Sequence, residues 1–487
     1  MNARAGDGPH TLGRWPADVA RRTPTRIAID DGTDRISYAD LDKRADALAR
    51  TLRAAGCHPG DRIATLTANS AAHLVLFFAC ARARLVLVPL SWRLAAREIA
   101  GQLAHAEPTL FVVQPAHTAL ATAALARLTD PPRDTTFAAL EAIGDYAELE
   151  PVQDDDPVLM LYTSGTAGQP KGVALTHANC FWTNLSLSRT VPLTERDVVL
   201  QILPQFHVGG WNVQPLLACW VGATVVVERG FDAGRVLRLI AERRVSTMMG
   251  VPANYLFLAE HPNFARTDLS SLGTIIVGGA PMPEPLLRTW HDRGVTLVQG
   301  YGLSEAAPNV LCVPGDRAGD KLGCAGMPYP YVEVRLADDG ELLVRGPNVF
   351  GGYWRNPEAT ARALRDGWLH TGDLATVDAD GYYRIVDRVD DMFVSGGENV
   401  FPSEVENVLY GHPAVTEAAV VARADERWGK VGVAFVVRRA PVTEDELFAH
   451  CRAELARFKV PREFRFVEEL PHSSVGKLLR RTLREDT

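Results

Sequence analysis

Lysine is scarce in this sequence of 487 residues: only six of its 51 basic residues are Lys, at 43, 171, 321, 430, 459 and 477. The chain uses Arg wherever either cation would serve. A Lys in a chemically plausible place therefore carries weight, because guanidinium cannot replace a compact ammonium in a tight site. Cysteine is sparse too. Its seven residues are scattered, odd in number and without a Cys-x-x-Cys pair. That excludes a disulfide framework and a zinc site and fits a reducing cytoplasm. No excess of positive charge is present; the net charge of −8 argues against a nucleic-acid partner held through phosphates. Long apolar runs are also missing. The most apolar stretch, Leu74 to Trp92, is broken by Arg82 and Arg84, which makes it a buried helix and strand and not a membrane span. Met1 to Gly8 has no apolar core for a signal peptide. A soluble cytoplasmic protein of two or three domains is expected.

Against these absences stands one dense stretch, Tyr162-Thr-Ser-Gly-Thr-Ala-Gly-Gln-Pro-Lys-Gly172. Gly165, Gly168 and Gly172 let backbone N–H groups turn inward as an anion nest. Thr163, Ser164 and Thr166 add hydroxyls, and Lys171 reaches the same centre. A phosphate chain is the natural guest. Pro170 before the lysine and Gly172 after it exclude a Walker A loop. The apolar flanks Pro157–Tyr162 and Val173–Thr176 predict a hairpin before a helix near His177.

Elsewhere strands alternate with helices. Expected strands lie at Arg26–Asp30, Arg62–Thr67, Leu85–Pro89 and Leu110–Val113, then at Val199–Leu203, Ala223–Val227, Ser246–Gly250, Gly273–Val277 and Gly294–Val298. Ser37 with Asp40 gives a helix-start signature, and so does Ser403 with Glu406. The alternation implies an α/β fold with doubly wound, largely parallel sheets. Two lobes, about 1–155 and 156–319, would face each other across a cleft where strand ends meet. Asp-Gly turns at Asp339-Gly340 and Asp380-Gly381 mark a small β unit over 320–389. A compact α/β tail of about a hundred residues follows, long enough to fold alone.

Several segments after predicted strands suit a nucleotide. Gly278 and Gly279 in Val277-Gly-Gly-Ala280-Pro281 permit close backbone approach. Tyr301 in Gly300-Tyr-Gly302-Leu-Ser304-Glu305 offers a flat face to a base. Glu305, an anion where phosphates would gather, makes sense as a magnesium ligand. Asp373 lies in Thr371-Gly-Asp373 ahead of a hairpin, and Arg388 lies in Arg388-Val-Asp390-Asp391 at the end of the β unit. Exposed Trp428 lies in a charged stretch, Asp425 to Lys430, and Gly476-Lys477 lies in a basic tail.

Taken together, these motifs resemble the signatures of the acyl-adenylate-forming superfamily, which includes acyl-CoA synthetases, non-ribosomal peptide adenylation domains and firefly luciferase. The resemblance spans essentially the whole chain. It departs at Ala167, where the usual form has Thr, so one hydroxyl is missing from the pyrophosphate cradle. It implies a large domain, 1–389, and a mobile domain, 390–487, hinged at Asp390. Lys477 matches the catalytic lysine of the tail. Thr163 to Gly168 and Lys171 would hold pyrophosphate, and Glu305 with Thr166 would hold Mg²⁺. Gly279, Ala280, Pro281, Gly300, Tyr301, Gly302 and Ser304 would surround the nucleotide, with Asp373 and Arg388 at the ribose. Gly396 and Gly397 resemble the loop that admits pantetheine, and Trp428 an aromatic that packs on CoA. His207 stands beside the carboxylate, where amino-acid-activating relatives tend to have Asp, so an amino acid is disfavoured.

The implied activity is ATP-dependent ligation of a carboxylic acid to coenzyme A through acyl-AMP, with Mg²⁺. Phe206, His207, Trp211, Tyr255 and Gly278 are the expected acyl-pocket residues. No Arg or Lys falls in the candidate segments 206–212, 249–255, 277–280 and 301–310, which disfavours diacids. A medium- or long-chain fatty acid leads, ahead of an aryl or specialised-pathway acid. Rival readings are an acyl-AMP ligase that loads an acyl carrier protein and an adenylate-binding protein without activity. A homodimer is left open.

Overall fold

The computed structural model describes residues 7–141, 147–163, 171–388, 391–395, 398–472, 478–485 and 487. The expected α/β class holds. Two largely parallel sheets form the large part of the chain. The six-stranded sheet runs, edge to edge, through Arg133–Thr135, Leu110–Val113, Arg62–Leu66, Val86–Leu90, Pro157–Thr163 and Lys171–Thr176. The nine-stranded sheet has Thr296–Gly302, Thr274–Val277, Thr247–Gly250, Val198–Gln201 and Thr224–Val227 as its parallel centre. One continuous core takes side chains from both sheets and from the helices Tyr38–Ala54 and Ala71–Ala83. Twelve of the thirteen residues of Ala71–Ala83 are buried, as a helix that is apolar on nearly all sides requires, and the buried polar His73 and Arg82 are hydrogen-bonded. Its start is fixed by Ser70, which accepts a hydrogen bond from the His73 amide.

The boundary expected between lobes at 155/156 does not follow the sheets. Ile27–Asp30 and Arg35–Ser37 cross to the edge of the nine-stranded sheet, with Ile29 opposite Val225. Pro157–Thr163 and Lys171–Thr176 complete the six-stranded one. Each strand lies where its apolar face finds a partner, so neither sheet is contiguous in sequence.

A small antiparallel unit follows, built on Glu341–Arg345, Trp368–Val377 and Tyr383–Arg388. The C-terminal part has its own five-stranded sheet, centred on the hairpin Val415–Asp425 and Gly429–Arg438, with a separate core. Its helix Pro402–Tyr410 corrects one expectation. Pro402 occupies the first turn, so Ser403 lies inside the helix and caps nothing. Ser403 instead meets the preceding unit: its amide donates to Asp387 Oδ2 at 3.1 Å and its hydroxyl to the Val386 carbonyl. Glu406 is buried and accepts from Arg480 at 2.8 and 2.6 Å and from the Val420 amide at 2.8 Å. All seven cysteines are buried free thiols. Among the described residues no helix is long and apolar enough to cross a membrane.

Candidate active site

The parallel strands of the nine-stranded sheet end level with one another. Gln201 is in register with Met249, Gly250 with Val277, and Val277 with Gln299. Ligands of such sheets lie beyond the strands' carboxyl ends. The strand Thr296–Gly302 runs on past the expected end at Val298. It carries Gly300, Tyr301 and Gly302 into antiparallel pairing with Asn309–Cys312. Gly302 permits this, since a Cβ there would lie 2.0 Å from the Pro308 carbonyl oxygen. Ser304 and Glu305 follow in a single 3₁₀ turn.

Tyr301 donates its phenol to Asp373 Oδ2 at 2.6 Å, and Arg388 Nε donates to Asp373 Oδ1 at 3.0 Å. Asp373 and Arg388 are direct cross-strand partners, which places guanidinium against carboxylate by register alone. Burial, and after it the Asp373 charge, push the Tyr301 phenol well above its usual range, so it remains a donor. The carboxylate oxygens keep lone pairs for further hydroxyl donors.

Four residues along the same segment, Glu305 meets a residue that the sequence did not single out. Tyr353 donates its phenol to Glu305 Oε1 at 2.8 Å. Lys171 Nζ lies 4.9 Å from the centroid of the same Tyr353 ring, within cation–π range. The arrangement is set by backbone. Val173 and Tyr353 form an isolated bridge, Trp354 N donates to the Gly172 carbonyl at 2.7 Å, and Phe350 N to the Glu305 carbonyl at 2.8 Å. Gly172 fits because a Cβ would come within 3.1 Å of Met160 Sδ and 3.2 Å of Trp354 Cβ. Thr163 pairs with Lys171 across the hairpin. The segment Tyr301–Glu305 thus joins a tyrosine–carboxylate–guanidinium group at one end to an ammonium–phenol–carboxylate group at the other.

Among the expected acyl-pocket residues, His207 lies beside Phe206 with ring centroids 4.9 Å apart. Phe206 lines a cavity of about 300 Å³ together with Trp92, Leu203, Phe231, Val251 and Phe257. Gly278 and Gly279 follow the strand Thr274–Val277, ahead of Ala280 and Pro281. A Cβ on Gly278 would meet Met249 Cε at 3.0 Å and the Gly300 carbonyl oxygen at 3.2 Å; Gly279 has φ +84° and adjoins Val251. Two expected pocket residues are corrected. Trp211 is fully buried, stacked on Phe77 at 5.2 Å, with Nε1 donating to the Gln205 carbonyl at 2.7 Å. Tyr255 is fully buried, edge-on to Trp290, and donates its phenol to the Ile276 carbonyl at 2.7 Å. Both are core residues whose polar atoms are already satisfied.

The family pattern for AMP-binding enzymes matches residues 17–354, and that for the AMP-binding enzyme C-terminal domain matches residues 404–477. The chain belongs to the AMP-binding enzyme family. It is similar to a feruloyl-CoA synthase of an Amycolatopsis species, 42% identical over 97% of this chain and 98% of the relative. It is 37% identical to an indoleacetate–CoA ligase of Aromatoleum aromaticum, over 97% of this chain and 98% of that one. The o-succinylbenzoate CoA synthetase of Bacillus subtilis, solved with its acyl-adenylate intermediate, superposes with a TM-score of 0.88 at 31% identity; the match covers 96% of this chain and 97% of that one.

In this AMP-binding enzyme, Ser164, Gly165, Thr166, Ala167, Gly168, Asp390, Gly396, Gly397 and Lys477 lie outside the described residues. Their neighbours are placed. His472 and Leu478 pair across the segment that contains Lys477. Arg480 is held by Glu406, and Arg484 Nη2 donates to Asp391 Oδ1 at 2.5 Å. Trp428 sits half-buried in the turn between Val415–Asp425 and Gly429–Arg438. The guanidinium carbons of Arg427 and Arg462 lie 5.1 and 5.7 Å from its ring centroid.

Proposed function

We propose that this enzyme is an ATP-dependent acid–CoA ligase that acts on an aromatic carboxylic acid. The observation that carries the reading is the segment Tyr301–Glu305. Its tyrosine is tied to Asp373 and Arg388, and its glutamate to Tyr353 and Lys171. A nucleotide lying along it would have its ribose at Asp373 and its phosphates at Lys171.

The site suits magnesium. Glu305 offers a half-buried carboxylate with Oε1 held by Tyr353. Mg²⁺ commonly binds through one or two carboxylates plus substrate phosphates. When bound, the ion neutralises phosphate charge.

In the first step a carboxylate oxygen attacks the α-phosphorus, and the bond to pyrophosphate breaks, giving acyl-AMP. Lys171 takes up charge on the leaving pyrophosphate, alongside the hydroxyls of residues 163–166. Lys477 neutralises charge between carboxylate and α-phosphate. Such fixed cations act where charge develops. In the second step the CoA thiol attacks the acyl carbonyl, and AMP leaves. The tail, 390–487, turns about Asp390 between the steps, withdrawing Lys477 and bringing in Gly396 and Gly397. Trp428, with Arg427 and Arg462 beside it, offers a stacking face and two cations. That combination suits the phosphorylated adenosine end of CoA better than a carrier protein.

For the acid, the aryl reading now stands ahead of a medium- or long-chain fatty acid. Trp92, Phe206, Phe231 and Phe257 supply an aromatic lining, and two similar relatives are named for feruloyl and indoleacetate substrates. The test is a mass-spectrometric screen for CoA thioesters over an acid library, with pyrophosphate release read in parallel. Thioesters of aryl acids are expected. Acid-dependent pyrophosphate release without any thioester would transfer the acceptor role to a carrier protein.

A further inference from the structure

We infer that Arg93 and Arg229 form a distal subsite of the acid pocket, selecting aromatic acids whose far end carries an anionic or oxygen acceptor group. The inference rests on the ligase reading and adds to it the polarity of the substrate's other end. The cavity beside Phe206 is aromatic and apolar along its walls, yet its lining includes two arginines and no carboxylate. In a chain with 59 acidic and 51 basic residues, that is a local reversal of charge. Both cations come from loops that leave the carboxyl ends of strands. Arg93 follows Val86–Leu90 of the six-stranded sheet, and Arg229 follows Thr224–Val227 of the nine-stranded sheet. The subsite is therefore made where the two sheets converge, and neither arginine lies in the sequence segments expected to form the pocket.

Two groups neighbour Phe206, the His207 ring at 4.9 Å between ring centroids and the Arg93 guanidinium at 5.9 Å from its centroid. Arg93 also lies 5.1 Å from the Trp92 centroid, and Trp92 stacks on His117 at 5.4 Å and 13°. The guanidinium is thus held against two aromatic faces. Val251, which lines the cavity, has its Cγ1 3.4 Å from where a Cβ on Gly279 would be, so the cavity adjoins the loop that follows the strand Thr274–Val277. An acid with its reacting carboxylate near His207 and its ring along Phe206 would have Arg93 within reach, and Arg229 lines the same cavity.

A simple apolar acid has no use for cations there, because its one carboxylate is engaged at the other end. An aromatic acid with a para oxygen or second carboxylate has. A guanidinium meets a carboxylate or an oxygen acceptor through directed N–H donors. The observation also removes the sequence-based argument against diacids, which considered only the segments around His207.

Acid-dependent ATP–pyrophosphate exchange tests this without involving the thiol acceptor. The probes are cinnamate, para-hydroxycinnamate and para-carboxycinnamate. The wild-type enzyme should favour the two substituted acids in kcat/KM by about tenfold or more, as for a charge-assisted hydrogen bond. Arg93→Met should abolish most of that preference, lowering kcat/KM for the two substituted acids far more than for cinnamate, with an unchanged melting temperature as the control for folding. Arg229→Met should act in the same direction. Equal kcat/KM for the three acids in the wild type would overturn the inference. So would an equal loss for all three in Arg93→Met, which is the signature of entry steering or altered folding. Exchange with no acid in a broad library would overturn the ligase reading itself, and the subsite with it.

Discussion

Tyr353 donates its phenol to Glu305 across 2.8 Å, and the same ring carries Lys171 Nζ 4.9 Å from its centroid. One ring thus contacts both the ammonium that the proposed function assigns to phosphate and the carboxylate that it assigns to the metal. Burial, and then the Glu305 charge, push the Tyr353 phenol far above its ordinary value, so it stays a donor at any working pH.

Tyr353→Phe keeps the ring and removes the donor. The lost hydrogen bond, about 1 kcal/mol, should raise the Mg²⁺ concentration for half-maximal exchange several-fold, with little change in melting temperature. An unchanged Mg²⁺ dependence would mean that Glu305 does not hold the ion.

Lys477→Ala should separate the half-reactions. Acyl-AMP formation should fall by about 10²-fold or more, as when one transition-state donor is lost. Thioester formation from preformed acyl-AMP should continue. Equal loss in both steps would make Lys477 structural.

Trp428→Ala should raise the KM for CoA by up to about tenfold, for loss of about 1 kcal/mol of stacking. Exchange should be unaffected. Unchanged CoA kinetics would displace coenzyme A as the acceptor at this surface.

Two buried histidines make folding pH-dependent. His73 and His177 are pulled down by burial to about 3 and about 4, against about 6.5 in an unfolded chain. His177 Nδ1 accepts from the Leu12 amide at 3.1 Å, a bond that only the neutral ring can make there. The unfolded chain therefore binds more protons below about pH 6.5, and stability present above that value is lost on acidification. The loss approaches about 1.4 kcal/mol per pH unit for each histidine. Urea midpoints at about pH 7 and about pH 5 should differ accordingly; equal midpoints would contradict the assigned protonation.

The parallel strands were legible because short apolar runs bounded by glycine carry a strong local signal. What failed was side-chain direction. Trp211 and Tyr255 are close in sequence to His207 and Gly250, but both turn into the core. Ser403 and Glu406 have the spacing of a helix start, yet the helix begins at Pro402 with Phe401 at the cap position, two residues before Ser403, leaving Glu406 to face Arg480. Tyr353 reaches Glu305 across 48 positions, and Arg93 reaches Phe206 from the other sheet. No local pattern encodes such meetings. The nearest signal for Tyr353 was Gly351-Gly352 before two aromatics, where Gly352 has φ +145° and a Cβ would lie 2.7 Å from Thr360 Cγ2.

The most direct test of the central claim uses a carboxylic acid labelled with heavy oxygen in its carboxyl group, with ATP, Mg²⁺ and CoA, and weighs the nucleotide product. Attack of the carboxylate on the α-phosphorus followed by thiolysis must leave one labelled oxygen in AMP. That is the predicted result. Label in inorganic phosphate with ADP as the nucleotide, or unlabelled AMP, would contradict the acyl-adenylate route.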